Sequence, residues 1–165
     1  RPFNSRRRKL DRTEYERLAN EYLDTVLRVA VNSCKSYADA EDVTQEVFFK
    51  LLNRSEAFED DDHARKWLIR VTVNTAHDLW RSSWYQRTVP LEKLPEEPTF
   101  STEDKSELFL AVQDLPVKFR QVIHLFYYED YSTAEIAEIL GIKEGAVRTR
   151  LLRARRRLKD ALKEA

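Results

Sequence analysis

Apolar residues recur at three- and four-residue spacing through most of this chain, and that period predicts helices. Over residues 13–33, Tyr15, Leu18, Tyr22, Val26, Val29 and Ala30 share one face. Over 38–53, Val43, Val47, Phe48, Leu51 and Leu52 turn inward. Phe58 and the acidic run Glu59, Asp60, Asp61 and Asp62 read as a loop. A third helix is predicted over 63–84, with Trp67, Leu68, Val71, Val73, Ala76, Leu79 and Trp80 as its apolar positions.

The period then stops. Residues 87–104 hold Pro90, Pro95 and Pro98 among Glu92, Glu96, Glu97 and Glu103. Proline lacks an amide donor and blocks helix continuation, so this stretch reads as a flexible linker. Fully extended, it reaches at most about 60 Å, between one and two turns of B-DNA at about 34–36 Å each. Beyond it, residues 106–115 predict a short helix ending before Pro116. Residues 117–129 predict another, with Phe119, Val122, Ile123, Phe126 and Tyr127 apolar.

The last segment is the most specific. Ser132 or Thr133 suits a helix start, with Glu135 or Glu138 in the first turns. Ile136, Ala137, Ile139 and Leu140 form its apolar face. Gly141 suits the positive-φ geometry that ends a helix. Val147 and Leu151 then bury a second, arginine-rich helix against the first. This is the layout of a DNA-binding helix-turn-helix. Taken alone, it also fits a duplex-binding repressor or activator.

Composition agrees with an all-α protein. The chain has 165 residues, 42% hydrophobic and 35% charged, with 2 glycines and 5 prolines. The single cysteine, Cys34, excludes an internal disulfide, fits a reducing compartment and reads as a small buried residue. No apolar run approaches the roughly 20 residues of a membrane span, and no stretch reads as a secretory signal. Net charge is zero, but the charges are sorted. Residues 143–165 hold nine basic and three acidic side chains, residues 39–62 two and nine, and residues 63–87 five and one. Basic segments suit phosphate backbones, and the acidic one suits either solvent or a basic protein surface. The run Arg6 to Lys9 reads as a basic N-terminal arm. His63, His77 and His124 lack metal-ligand spacing, and there is no glycine-rich phosphate loop. These absences argue against an enzyme or a bound cofactor. Trp67 sits at core spacing. Trp80, Trp84 and Tyr85 accompany Arg65, Lys66, Arg70 and Arg81, a mixture that suits single-stranded DNA, where bases stack on rings and cations hold phosphates.

Three motifs carry a resemblance. DAEDVTQEVFFKLL at 39–52, WLIRVTVNTAHDLWR at 67–81, and LPVKFRQVIHLFYYEDYSTAEIAEILGIKEGAVRTRLLRARRRL at 115–158 resemble the extracytoplasmic-function (ECF) sigma factors of bacterial RNA polymerase. The resemblance covers nearly all of 13–163 and implies two small helical domains. Residues 10–87 resemble sigma region two and 105–165 resemble region four with its helix-turn-helix. Residues 88–104 would link them, and 1–9 would be a disordered arm. The implied protein is not an enzyme. It is cytoplasmic, binds core RNA polymerase and directs it to promoters.

The resemblance also assigns residues. Asp39, Glu41, Asp42, Gln45, Glu46 and Phe49 would meet the clamp helices of the β′ subunit. Phe58, Arg65, Lys66, Arg70, Asn74, Asp78 and Arg81 would face the −10 element, where a base is extruded into a pocket. Four consecutive acidic residues after Phe58 depart from many relatives there, because carboxylates repel phosphate. Lys143, Glu144, Arg148, Thr149, Arg150, Leu152 and Arg153 would contact the −35 element, Lys143 and Glu144 close to the backbone phosphates and Arg150, like Arg155, Arg156 and Arg157, on phosphates or in solvent. Phe126, Tyr127 and Tyr128 would lie on the β flap or in their own core. An anti-sigma factor is the implied regulator.

Overall fold

A computed structural model describes residues 9–82 and 106–163. The linker, Trp84, Tyr85 and the arm from residue 1 to 8 lie outside the described residues. Within them the chain is helical, with one isolated β-bridge between Lys9 and Glu56.

Three helices build the first body. Helix α1, Arg12–Ser33, begins where the Asp11 carboxylate accepts the Glu14 amide at 2.8 Å. Helix α2, Tyr37–Leu52, begins where the Ser36 hydroxyl accepts the Asp39 amide at 3.1 Å. Helix α3 spans Asp61–Arg81. Side-chain oxygens satisfy the amides that a helix start leaves orphaned. Leu18, Val26, Val43, Val47, Leu51 and Leu68 form the core of this body, each at most 2% exposed.

The start of α3 corrects the expected loop. Asp60 accepts the His63 amide at 2.7 Å, and Asp61 and Asp62 occupy the first turn. The acidic run is a helix start because carboxylates at an N-terminus both cap it and complement its dipole. Cys34 caps the C-terminus of α1 and is buried, as its sequence reading expects.

Four helices and one wider turn build the second body. Helix α4, Glu107–Gln113, follows the cap Ser106. Helix α5, Val117–Ile123, follows Pro116. It does not run on to Glu129 as the apolar pattern predicts. Residues His124–Tyr128 form a π-helical turn, closed by the Glu129 amide on the His124 carbonyl at 3.1 Å. Asp130 follows at φ 59°, a left-handed geometry that Asp tolerates better than most residues. The extra residue turns Glu129 inward while Tyr127 and Tyr128 stay exposed.

Helix α6, Thr133–Leu140, opens on a reciprocal capping box between Ser132 and Glu135 and closes on Gly141 at φ 66°. Helix α7, Glu144–Lys163, buries Val147, Leu151 and Ala154. The helix-turn-helix is therefore formed as the sequence indicates.

The two bodies pack together. Val29 of α1 and Ile69 and Val73 of α3 belong to the apolar cluster of the second body, with Phe119, Val122 and Ile136. Arg120 donates to the Cys34 carbonyl at 2.8 Å, and Gln121 donates to the Ser33 hydroxyl at 2.9 Å. The image of two bodies held only by a tether is corrected: residues from both share one buried joint.

Candidate nucleic-acid interface

The α3 stripe supplies one candidate surface. Arg70, Asn74, Asp78 and Arg81 are all exposed and lie at near-helical spacing, so they share one face. His77 beside them is half-buried. Its pKa is lowered by burial first and then by the positive charges of Arg81 and Arg150. A neutral His77 leaves that face with less charge than its residue list implies.

Arg65 and Lys66, one turn earlier, are placed differently. Arg65 donates to the Tyr131 hydroxyl at 3.0 Å and to both the carbonyl and carboxylate of Glu129 at 3.1 and 2.5 Å. The Lys66 ammonium lies 3.8 Å from Glu135 and 3.6 Å from Glu138. Burial pushes the Tyr131 hydroxyl up to about 12, against the opposing charge of Arg65, so it remains a neutral acceptor for that guanidinium.

Phe58 is half-buried and packed. Its ring meets His63 edge-on at 5.2 Å and Trp67 at 5.5 Å, and the Arg54 guanidinium lies 4.2 Å over it. Arg54 also sits 5.0 Å over Trp67. The sequence gives no signal for Arg54, because the stack depends on the turn after α2. Lys35 lies 3.8 Å over the Trp80 ring, another cation–aromatic pair made by tertiary contact.

Helix α7 supplies the second surface. Lys143, Glu144, Arg148, Thr149, Leu152 and Arg153 are exposed, opposite the buried Val147 and Leu151, while Arg150 is half-buried. Leu152 is 47% exposed. Glu144 accepts the Thr133 hydroxyl at 2.8 Å and pairs with Arg148 at 2.9 Å, tying the start of α7 to the start of α6. The Thr149 hydroxyl donates to the Gly145 carbonyl at 2.9 Å. Arg155 and Arg157 turn toward their own body. Arg155 donates to the Tyr127 hydroxyl at 2.7 Å, and Arg157 lies 4.9 Å over Phe119.

A third surface is acidic. On α2, Glu41, Asp42, Gln45, Glu46 and Phe49 are exposed, Asp39 is half-buried, and Phe49 shows 64% of its surface.

Residues 18–85 match the family model described as Sigma-70 region 2, and residues 105–158 match Sigma-70, region 4. The RNA polymerase sigma-E factor of Streptomyces coelicolor is 34% identical over 90% of this chain and 86% of its own. The chain belongs to the ECF sigma factors. The ECF RNA polymerase sigma factor SigL of Mycobacterium tuberculosis is also 34% identical, over 89% of this chain and 88% of its own.

Solved structures share the fold. The sigma factor RpoE of Bartonella quintana, in complex with the anti-sigma factor NepR, matches at TM-score 0.72 and 23% identity over 92% of this chain and 98% of that one. CnrH, in complex with the cytosolic domain of CnrY, matches at 0.63 and 23% identity, over 93% and 90%. Sigma factors of this family bind core RNA polymerase and promoter DNA. No described helix is long and apolar enough to cross a membrane.

Proposed function

We propose that this chain joins core RNA polymerase and directs it to promoters, gripping the −35 element with α7 and opening the −10 element with α3. The observation that carries the reading is the pairing, within one sigma fold, of a cationic recognition helix and an exposed Arg70–Asn74–Arg81 face. Arg suits the two acceptors of a guanine edge in the major groove, which favours Arg148 and Arg153 as base readers. An amide offers donor and acceptor together, so Asn74 suits an unpaired base edge. We assign residues 10–87 to region 2 and 105–165 to region 4.

The exposed α2 face is the proposed contact for the β′ clamp helices. Asp42, Gln45 and Glu46 suit basic side chains through charge-assisted hydrogen bonds, and Phe49 supplies the apolar anchor. An apolar groove on region 4, lined by Leu108, Tyr127, Tyr128, Leu158 and Leu162, supports docking on the β flap. The sigma factor RpoE of similar fold is bound to an anti-sigma factor, and CnrH to the cytosolic domain of CnrY, which favours such a regulator here and a cytoplasmic site of action.

Run-off transcription with purified core polymerase on genomic fragments tests this. Promoter-specific transcripts that depend on the added chain are expected. Duplex binding without such transcripts would leave an ordinary helix-turn-helix regulator.

A further inference from the structure

The outer face of α7 carries carbon among its cations. Thr149 and Leu152 are both exposed and lie three residues apart, so they are neighbours on the helix surface. Arg148 and Arg153 flank them in sequence and are exposed as well. The helix buries Val147, Leu151 and Ala154 on its other side, yet leaves 47% of Leu152 open.

Thr149 has less hydrogen-bonding capacity than its hydroxyl suggests. That hydroxyl donates to the Gly145 carbonyl at 2.9 Å, the backward bond that threonine makes within its own helix. A hydroxyl has one proton to donate. With that proton engaged, Thr149 does not donate to N7 or O6 of guanine or to O4 of thymine in the major groove. Its methyl group and acceptor lone pairs remain. Leu152 has carbon alone, so apolar surface is what the pair has in common.

The helix is also open beside this pair. Gly145, one turn before Thr149, is exposed and has no side chain. A Cβ added there would meet only the Arg148 guanidinium, at 4.0 Å. That guanidinium is turned back along the helix, where it pairs with Glu144 at 2.9 Å. A base-pair edge can approach the backbone closely at such a place.

The surrounding cations attract any phosphate backbone and choose no base. Thymine differs from the other bases in carrying a C5-methyl group in the major groove, and apolar side chains contact that group. We propose that Thr149 and Leu152 form a methyl-reading patch that selects thymine in the promoter duplex. This rests on the reading of α7 as the −35 surface. It adds to the guanine that an arginine suits a second base, recognised by carbon rather than by a hydrogen bond.

The test deletes the methyl group from the DNA. The full chain first selects a preferred duplex from a randomised pool. Deoxyuridine then replaces each thymine of that duplex in turn, which removes the C5-methyl and keeps the base pair. At least one replacement should weaken competition binding about fourfold, the effect of one buried group of CH₂ size. Thr149→Val keeps a methyl group and drops the hydroxyl, whereas Thr149→Ser does the reverse. The deoxyuridine penalty should persist in Thr149→Val and shrink to within about twofold in Thr149→Ser and in Leu152→Ala. Circular dichroism checks that each variant keeps its helices. A preferred duplex in which no thymine is sensitive to deoxyuridine overturns the proposal without any variant. So does a penalty that Thr149→Ser or Leu152→Ala leaves intact, or one that Thr149→Val abolishes. A pool that yields no preferred duplex refutes the −35 reading of α7 and the methyl patch with it, whereas a preferred duplex indifferent to its methyl groups refutes the patch alone.

Discussion

Arg65 and Glu129 meet at 2.5 Å across 64 residues of sequence, and the other oxygen of the same carboxylate takes His124 at 3.0 Å. Burial alone would raise the Glu129 pKa. The hydrogen bond and charge of His124, followed by those of Arg65, outweigh it and hold the carboxyl below the usual glutamate range. A lowered folded-state value stabilises the fold above the unfolded value, about 4.3. That stabilisation is lost as pH falls through the folded value. Glu129→Gln should therefore cost about 1–3 kcal/mol near pH 7 and remove part of the acid sensitivity. Thermal midpoints between pH 7 and pH 3 check this. The gap between parent and variant should narrow toward the acid end, and a constant gap would contradict the assignment.

The acidic face of α2 makes a separate prediction about partners. Asp42→Lys with Glu46→Lys should reduce core-polymerase affinity by at least about tenfold, because charge-assisted contacts become repulsions. The fold should survive. Both side chains are exposed, and the ion pair of Glu46 with Lys50 at 3.6 Å is an exposed helical pair worth about 0.3–0.5 kcal/mol. Pull-down on core enzyme, with circular dichroism as the folding control, decides the matter.

The elements that local pattern controls were legible in the sequence. The Ser132–Glu135 box, Gly141 and the Val147–Leu151 stripe are short-range signals, and the helix-turn-helix follows from them. The acidic run at 59–62 looks like solvent loop in the sequence, because nothing local shows that Asp60 caps a helix. The π turn at His124–Tyr128 has no signature in apolar spacing, since it only widens one turn. The joint was invisible for a different reason. Val29, Ile69 and Val73 look like ordinary core positions of their own helices, and Arg120 and Gln121 look like surface residues. Only tertiary packing shows that they meet the other body. The candidate −10 residues divide along that line: Arg70, Asn74, Asp78 and Arg81 are open, while Arg65 and Lys66 are engaged.

Gly141 carries a cleaner stability prediction. It holds φ 66°, and a Cβ added there would meet nothing within 4 Å. The cost of Gly141→Ala is therefore backbone strain alone, about 1–2 kcal/mol. Denaturant unfolding should show that loss with an unchanged slope, because no packing or exposed surface changes. A larger loss would mean that the turn between α6 and α7 is rearranged as well.

Asn74 separates opening from gripping. It is exposed on the α3 face, away from the buried Thr75 and Ala76, so Asn74→Ala removes an amide without disturbing the core. Closed-complex affinity, carried by α7 on duplex, should stay within about twofold, a change of less than 1 kcal/mol. Strand opening at the −10 element should fall, seen as weaker permanganate reactivity of unpaired thymines. Equal loss in both assays would move Asn74 out of the melting step.

Arg153 decides how α7 reads sequence. It lies on the exposed face with Thr149 and Leu152, opposite Leu151, and is proposed here to reach a base edge. Arg156 is exposed one turn further from the helix start, and its proposed partner is a phosphate. Arg153→Ala should then cost about 1–3 kcal/mol on the preferred −35 sequence and little on a scrambled one. Arg156→Ala should weaken both duplexes alike and lower the salt slope by about one. The two variants differ in kind as well as size, so competition binding at two salt concentrations distinguishes them. If Arg153→Ala behaved as Arg156→Ala does, Arg148 would be left as the arginine that reads a base.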